Sequence, residues 1–178
     1  MGISRQEQDE LGALSHKRAL DAIANGYFKN EIVPIMIPQR KGDPIAFDTD
    51  ERPMETSAEK MSKLKPAFKK DGTITAGNAS GINDAAAAML VMSADKAKEL
   101  GLKPLVRIKS YATAGIDPAY MGLGPVPAVR KIMAKEKLSI NDFGVVELNE
   151  AFASQAIGCM RELKCDPAKT NLVGSGIS

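Results

Sequence analysis

The sequence has no tryptophan, a single histidine and two cysteines, and its aromatic residues amount to 4%. So few aromatics argue against a platform for stacking bases. Twenty-four basic residues stand against 22 acidic ones, a net charge of +2, so there is no field to attract nucleic acid or an anionic membrane. No apolar run approaches the ~20 residues of a membrane span. The opening MGISRQEQ lacks the apolar core of a signal peptide. Cys159 and Cys165 show no metal-ligand spacing, and no metal site is expected. Neither an internal repeat nor a low-complexity tract interrupts the chain. The 44% hydrophobic and 26% charged composition is that of a globular protein. Its 178 residues suit one ordinary domain or two small ones, and a cytoplasmic setting is expected.

Taken in order, residues 3–25 read as a helix. Ser4 and Glu7 form a capping box with Ile3 as its staple, Leu11, Leu14, Ala19, Ala22 and Ile23 form an apolar stripe, and Asn25-Gly26 closes it. His16 lies in a polar run with Lys17 and Arg18, which reads as a solvated face. Residues 31–47 form an edge strand or loop broken by Pro34 and Pro38, with a turn at 40–43. Residues 48–58 read as an exposed loop. Residues 59–70 carry Lys60, Lys63, Lys65, Lys69 and Lys70, either a solvated helix face or a set of phosphate contacts. KMSK at 60–63 matches a short signature of class I aminoacyl-tRNA synthetases, but no partner motif accompanies it.

DGTITAGNASG at 71–81 packs small residues together, as a tight loop or a place where a ligand approaches the backbone. Residues 82–92 read as a buried strand ending in Met89, Leu90, Val91 and Met92, and Ser93 caps a helix that stops at Gly101. Residues 104–113 alternate as a strand. Pro125 and Pro127 open a helix reaching about Lys135, and Ser139 with Asp142 makes a second capping box. Val145–Leu148 reads as a short buried strand, followed by a helix from Glu150 to about Leu163 with Phe152, Ala156, Cys159 and Leu163 on one face. The tail NLVGSGIS reads as a strand entering a glycine-rich turn. The second half thus alternates β-α-β-α-β, the pattern of a mainly parallel sheet covered by helices.

Asn149 stands at the carboxyl end of the Val145–Leu148 run, beside the expected helix start. It is either an N-cap or a polar group placed for chemistry. Cys159 reads as a small core residue, and neither cysteine has a base nearby to make it a nucleophile.

Several segments together resemble the thiolase family, specifically its acetyl-CoA C-acetyltransferases. They are GISRQEQDE at 2–10, KLKPAFKKDGT at 63–73, TAGNASGINDAAAAMLVMS at 75–93, MGLGPVPAVRK at 121–131 and ELNEAF at 147–152. The resemblance covers essentially the whole chain in the family's order and spacing. It implies a partial thiolase fold: layered α/β/α, with a mixed, mainly parallel sheet. Residues 1–81 would be part of the substrate-covering loop domain, 82–102 the last strand and helix of the N-terminal half, and 103–178 most of the C-terminal half.

The activity implied is reversible condensation of two acetyl-CoA to acetoacetyl-CoA and CoA. A non-catalytic CoA-binding or interaction module is the alternative. No cofactor is implied beyond the coenzyme A thioesters themselves, and a homo-oligomer, usually a tetramer, is implied as the assembly. Asn149 matches the NEAF asparagine, which holds a water against the thioester oxyanion, a role worth ~3–4 kcal/mol for a preorganised donor. Ser80 matches the serine that approaches pantetheine, with Ala76 and Ala79 lining the same tunnel. Phe152 and Met121 match positions around the acyl group, and Phe68 lies on the adenine side. The lysine run gains a phosphate role in this light. Pro53 stands where relatives often carry arginine, and Arg52 is the substitute. The family's nucleophilic cysteine would lie upstream of residue 1, and its GHP histidine and second cysteine beyond Ser178. A chain of this extent is expected to be inactive alone.

Overall fold

The computed structural model describes residues 1–178. Its longest element is α1 (Arg5–Ala24), started by Ser4, whose hydroxyl and main-chain N–H exchange hydrogen bonds with Glu7 as expected. A hairpin follows, β1 (Ile35–Ile37) pairing antiparallel with β2 (Ile45–Phe47). Short helices α2 (Ala58–Ser62) and α3 (Ala94–Glu99) are capped by Ser57 and Ser93. A 3-10 turn, Pro118–Leu123, leads into α4 (Pro125–Glu136), where Pro125 and Pro127 occupy the first turn. The Ser139–Asp142 capping box holds a second 3-10 turn. The last helix is α5 (Ala153–Leu163).

The apolar core gathers on α5. Ala156, Cys159 and Leu163 pack with Val126 of α4, Leu148 and Cys165. The face predicted for α5 is therefore the one it buries, although the helix starts at Ala153 rather than Glu150. The main chain at Ala153 instead bonds outward to Asn78.

Helix α1 departs from its expected stripe. It buries Gln8, Asp9, Gly12, Ser15, His16, Ala19 and Ala22, while Leu14 is exposed. His16 is thus a buried residue, not part of a solvated face. The reason is what α1 packs against: α2, α5 and loops whose Asn78 and Glu150 side chains and Met54 and Ser175 main-chain N–H groups bond to it. Such groups need polar partners more than apolar cover. Gly12 is required there, since a Cβ would stand 2.7 Å from the Gly77 carbonyl oxygen.

The strands expected at 82–92 and 104–113 have no ladder. No backbone–backbone hydrogen bond involves residues 81–92 or 103–116. The parallel pairing of the second half is reduced to one bridge, Val146 with Thr170, and the tail to a bridge between Leu172 and Gly174. A strand needs a neighbour ~5 Å away to satisfy its main chain, and none lies beside these segments. Their apolar side chains are open to solvent: Leu90 is 87% exposed, Leu105 99% and Val106 82%. Only 24 of 178 residues are buried, and the surface is 13219 Å². A compact monomer of 19.0 kDa would expose roughly 8,400 Å². Exposed apolar side chains contribute to that excess, and such surface tends to bind polypeptide or aggregate. The double variant Leu90→Lys/Val106→Lys is therefore expected to lower bis-ANS fluorescence and aggregation while leaving helical circular dichroism unchanged. Lost helix signal would show that these segments support the core.

Candidate functional site

Two loops far apart in sequence form the site's floor. Ser80 N donates to Ala151 O at 2.9 Å, and Ala153 N donates to Asn78 O at 2.9 Å, so Ala79 and Phe152 pair as an antiparallel bridge. The NAS and NEAF segments are thereby one surface. Phe68 meets Phe152 edge-on, ring centroids 6.1 Å apart, a favoured aromatic geometry. Ser80, Ala76 and Phe68 are exposed on this surface, and Ala79 and Phe152 are half-buried.

The first loop is fixed from behind. Asn78, fully buried, accepts from Thr75 N at 2.8 Å and donates to Thr73 O at 3.0 Å and Asp9 Oδ1 at 2.9 Å. Asp9 also accepts from Arg5 Nε at 2.8 Å, and the same guanidinium donates to Met61 O. A carboxylate buried this deeply stands only when paired and hydrogen-bonded.

Asn149 lies between two buried neighbours, Leu148 and Glu150, yet is itself exposed. Its side chain makes no hydrogen bond within the chain, and it does not cap α5, whose N-cap position is Phe152. Of the two readings of Asn149, the capping one fails. Met121 sits on the 3-10 turn held to α5 by Cys159 Sγ, which donates to Gly122 O at 3.2 Å, and its side chain is 76% exposed.

Arg52 takes a structural position. Its Nε donates to Ile177 O at 2.9 Å and its Nη2 to Ala79 O at 3.0 Å, so the guanidinium braces the loop's main chain. Lys60, Lys65, Lys69 and Lys70 are exposed, and Lys63 pairs with Glu59 at 2.9 Å. Burial pushes the thiols of Cys159 and Cys165 above the usual range, the opposite of an activated nucleophile. Sequence reasoning passed over Glu150, Asn171, Ser15 and Asn78, all buried polar residues in the supports of these loops. The available signal was polar and small residues recurring at 8, 9, 12, 15 and 16 along α1, which is helical spacing for a buried face.

The family model described as the thiolase N-terminal domain matches residues 1–95, and that of the thiolase C-terminal domain matches 102–178. The chain belongs to the thiolase family. It is similar to an acetyl-CoA acetyltransferase of Pseudomonas aeruginosa, 53% identical over 99% of this chain and 45% of that protein. A probable acetyl-CoA acyltransferase of Staphylococcus aureus is 54% identical with the same coverage. Among solved structures, the acetyl-CoA acetyltransferase of Bacillus anthracis superposes with a TM-score of 0.93 at 50% identity, covering 98% of this chain and 44% of that one. Human mitochondrial 3-ketoacyl-CoA thiolase superposes with a TM-score of 0.89 at 40% identity, with the same coverage. The path of the chain is thus that of the thiolase α/β fold, ladderless segments included. The chain spans about half the length of the relatives it matches.

His16 connects this site to pH. Its Nδ1 accepts from Met54 N at 3.4 Å, and burial, with the Arg52 charge nearby, holds its pKa below the ordinary imidazole value of about 6.5. The unfolded chain binds the proton more readily, so stability is complete above ~6.5 and declines as pH falls toward the folded-state pKa. Melting temperature should fall between pH 7.5 and 5.5. His16→Gln should flatten that dependence, and an equally steep profile in the variant would remove His16 as its source.

Proposed function

We propose that this chain forms the coenzyme A half-site of an acetyl-CoA acetyltransferase, serving the reversible condensation of two acetyl-CoA to acetoacetyl-CoA and CoA. The observation that carries this is Asn149: an exposed amide with no hydrogen bond of its own, fixed between buried neighbours at the meeting of two loops. Its amide N–H would hold a water against the thioester oxygen, where charge builds as the carbonyl is attacked. Ser80, Ala76 and Ala79 line the approach of the pantetheine arm. Phe68 takes the adenine side, and Phe152 and Met121 face the acyl group. Lys65, Lys69 and Lys70, exposed around Phe68, suit the phosphates as point charges. Arg52 serves by bracing Ala79 rather than by touching phosphate.

Alone, the 178-residue chain is inactive in this reading, because both of its thiols are buried and held protonated. The same burial favours a second reading, a CoA-binding module without catalysis. The two differ at Asn149. Calorimetry should show CoA binding at millimolar ligand or below, and its absence there would remove both readings. Acetyl-CoA should bind more tightly than CoA, and Asn149→Ala should abolish that preference. Equal affinities in the unaltered chain would leave only the module. Thiolysis of acetoacetyl-CoA by the purified chain should be undetectable, and turnover would overturn the claim of inactivity.

A further inference from the structure

Asn149 has no hydrogen bond to orient it, so its placement depends on the backbone either side. That backbone is held by side chains rather than by a strand. Asn171 Oδ1 accepts from Leu148 N at 2.7 Å, and Asn171 Nδ2 donates to Leu148 O at 2.7 Å. One amide thus satisfies both main-chain groups of the residue before Asn149, as a neighbouring strand would. The same Nδ2 donates to Glu150 Oε1 at 2.9 Å. The other carboxylate oxygen of Glu150 accepts from Ser15 Oγ of α1 at 2.6 Å. Ser175 Oγ donates to Leu148 O at 3.2 Å and accepts from Glu150 N at 3.4 Å. Asn171 takes this place in a left-handed backbone conformation, φ 51°, which asparagine tolerates better than most residues. It is 3% exposed and Glu150 1%. On the far side, Gly176 leaves room for Asn149: a Cβ there would lie 2.7 Å from Asn149 Oδ1.

We propose that Asn171 is the positioning residue of Asn149, acting through a clamp on Leu148 and Glu150 that Ser15 anchors to α1. This rests on the role given to Asn149 above. The clamp depends on the direction of each hydrogen bond: Asn171 must donate to Glu150. An aspartate at 171 would set two carboxylates against each other. It would also face Leu148 O, now 2.7 Å from Asn171 Nδ2, with an oxygen in place of a donor. A glutamine at 150 instead keeps the clamp: its amide oxygen accepts from Asn171 Nδ2, and its NH₂ donates to Ser15 Oγ, which donates in turn to Ser178 Oγ.

The test is a ¹⁵N–¹H correlation spectrum of the full chain, with the side-chain amide pair of Asn149 assigned by its loss in Asn149→Ala. Asn171→Asp should move or broaden that pair beyond a line width. Glu150→Gln, which keeps every hydrogen bond of Asn171, should leave it in place. An unmoved pair in Asn171→Asp overturns the proposal. So does an equal displacement in Glu150→Gln, and so does failure of Asn171→Asp to fold, which would make the clamp a stability element only. None of these readouts depends on acyl chemistry. If the proposed function fails instead, Asn149→Ala leaves the acetyl-CoA preference unaltered while the clamp's spectral response persists.

Discussion

Two main-chain hydrogen bonds, Ser80 N to Ala151 O and Ala153 N to Asn78 O, make a single surface from loops that the sequence keeps far apart. Closing a loop of roughly 70 residues costs about 4 kcal/mol in chain entropy, before any constant. Each of the two bonds returns about 1 kcal/mol net. The bridge therefore cannot hold itself together. What holds it is the buried polar framework behind each loop, together with the apolar contacts of α5. Asn78, Asp9 and Arg5 fix one side, and Asn171, Glu150 and Ser15 fix the other.

Both frameworks end on α1, which explains that helix's composition. An apolar face would leave the carboxylates and amides of the loops without partners, at a cost of about 1–3 kcal/mol for each orphaned group. Ser15 and Asp9 lie on the same buried face as His16, Ala19 and Ala22. Arg18 continues the pattern outward by donating to Thr170 O and Asn171 O. Helix α1 is thus a polar spine against which the two loops are set in register. The candidate site is rigid where main chain must be placed and open where Asn149 and Ser80 face solvent.

Much of this was legible in the residues. Capping boxes at Ser4/Glu7 and Ser139/Asp142 are local chemistry and fell where expected, as did the prolines of α4 and the buried face of α5. Position alone left Asn149 divided between cap and catalysis. The resemblance favoured catalysis, and the start of α5 at Ala153 removed the cap. The strands at 82–92 and 104–113 were misjudged because an apolar run, or apolar alternation, reports a preference for burial, whereas a ladder also needs a neighbour. The polar face of α1 was missed because apolar periodicity was the signal sought. Asn171 was invisible for a related reason: one side chain replaces a strand, and nothing in NLVGSGIS marks it.

The two loops are held as one unit. Native-state hydrogen exchange at the amides of Ser80 and Ala153 tests it most directly. Both donate across the bridge, so both should be protected, with the same opening free energy. They should also lose protection together in Asn78→Ala, which removes the support of one loop only. Exchange of either amide at the rate of an unstructured chain, or loss of protection at Ser80 alone, would contradict a single coupled surface.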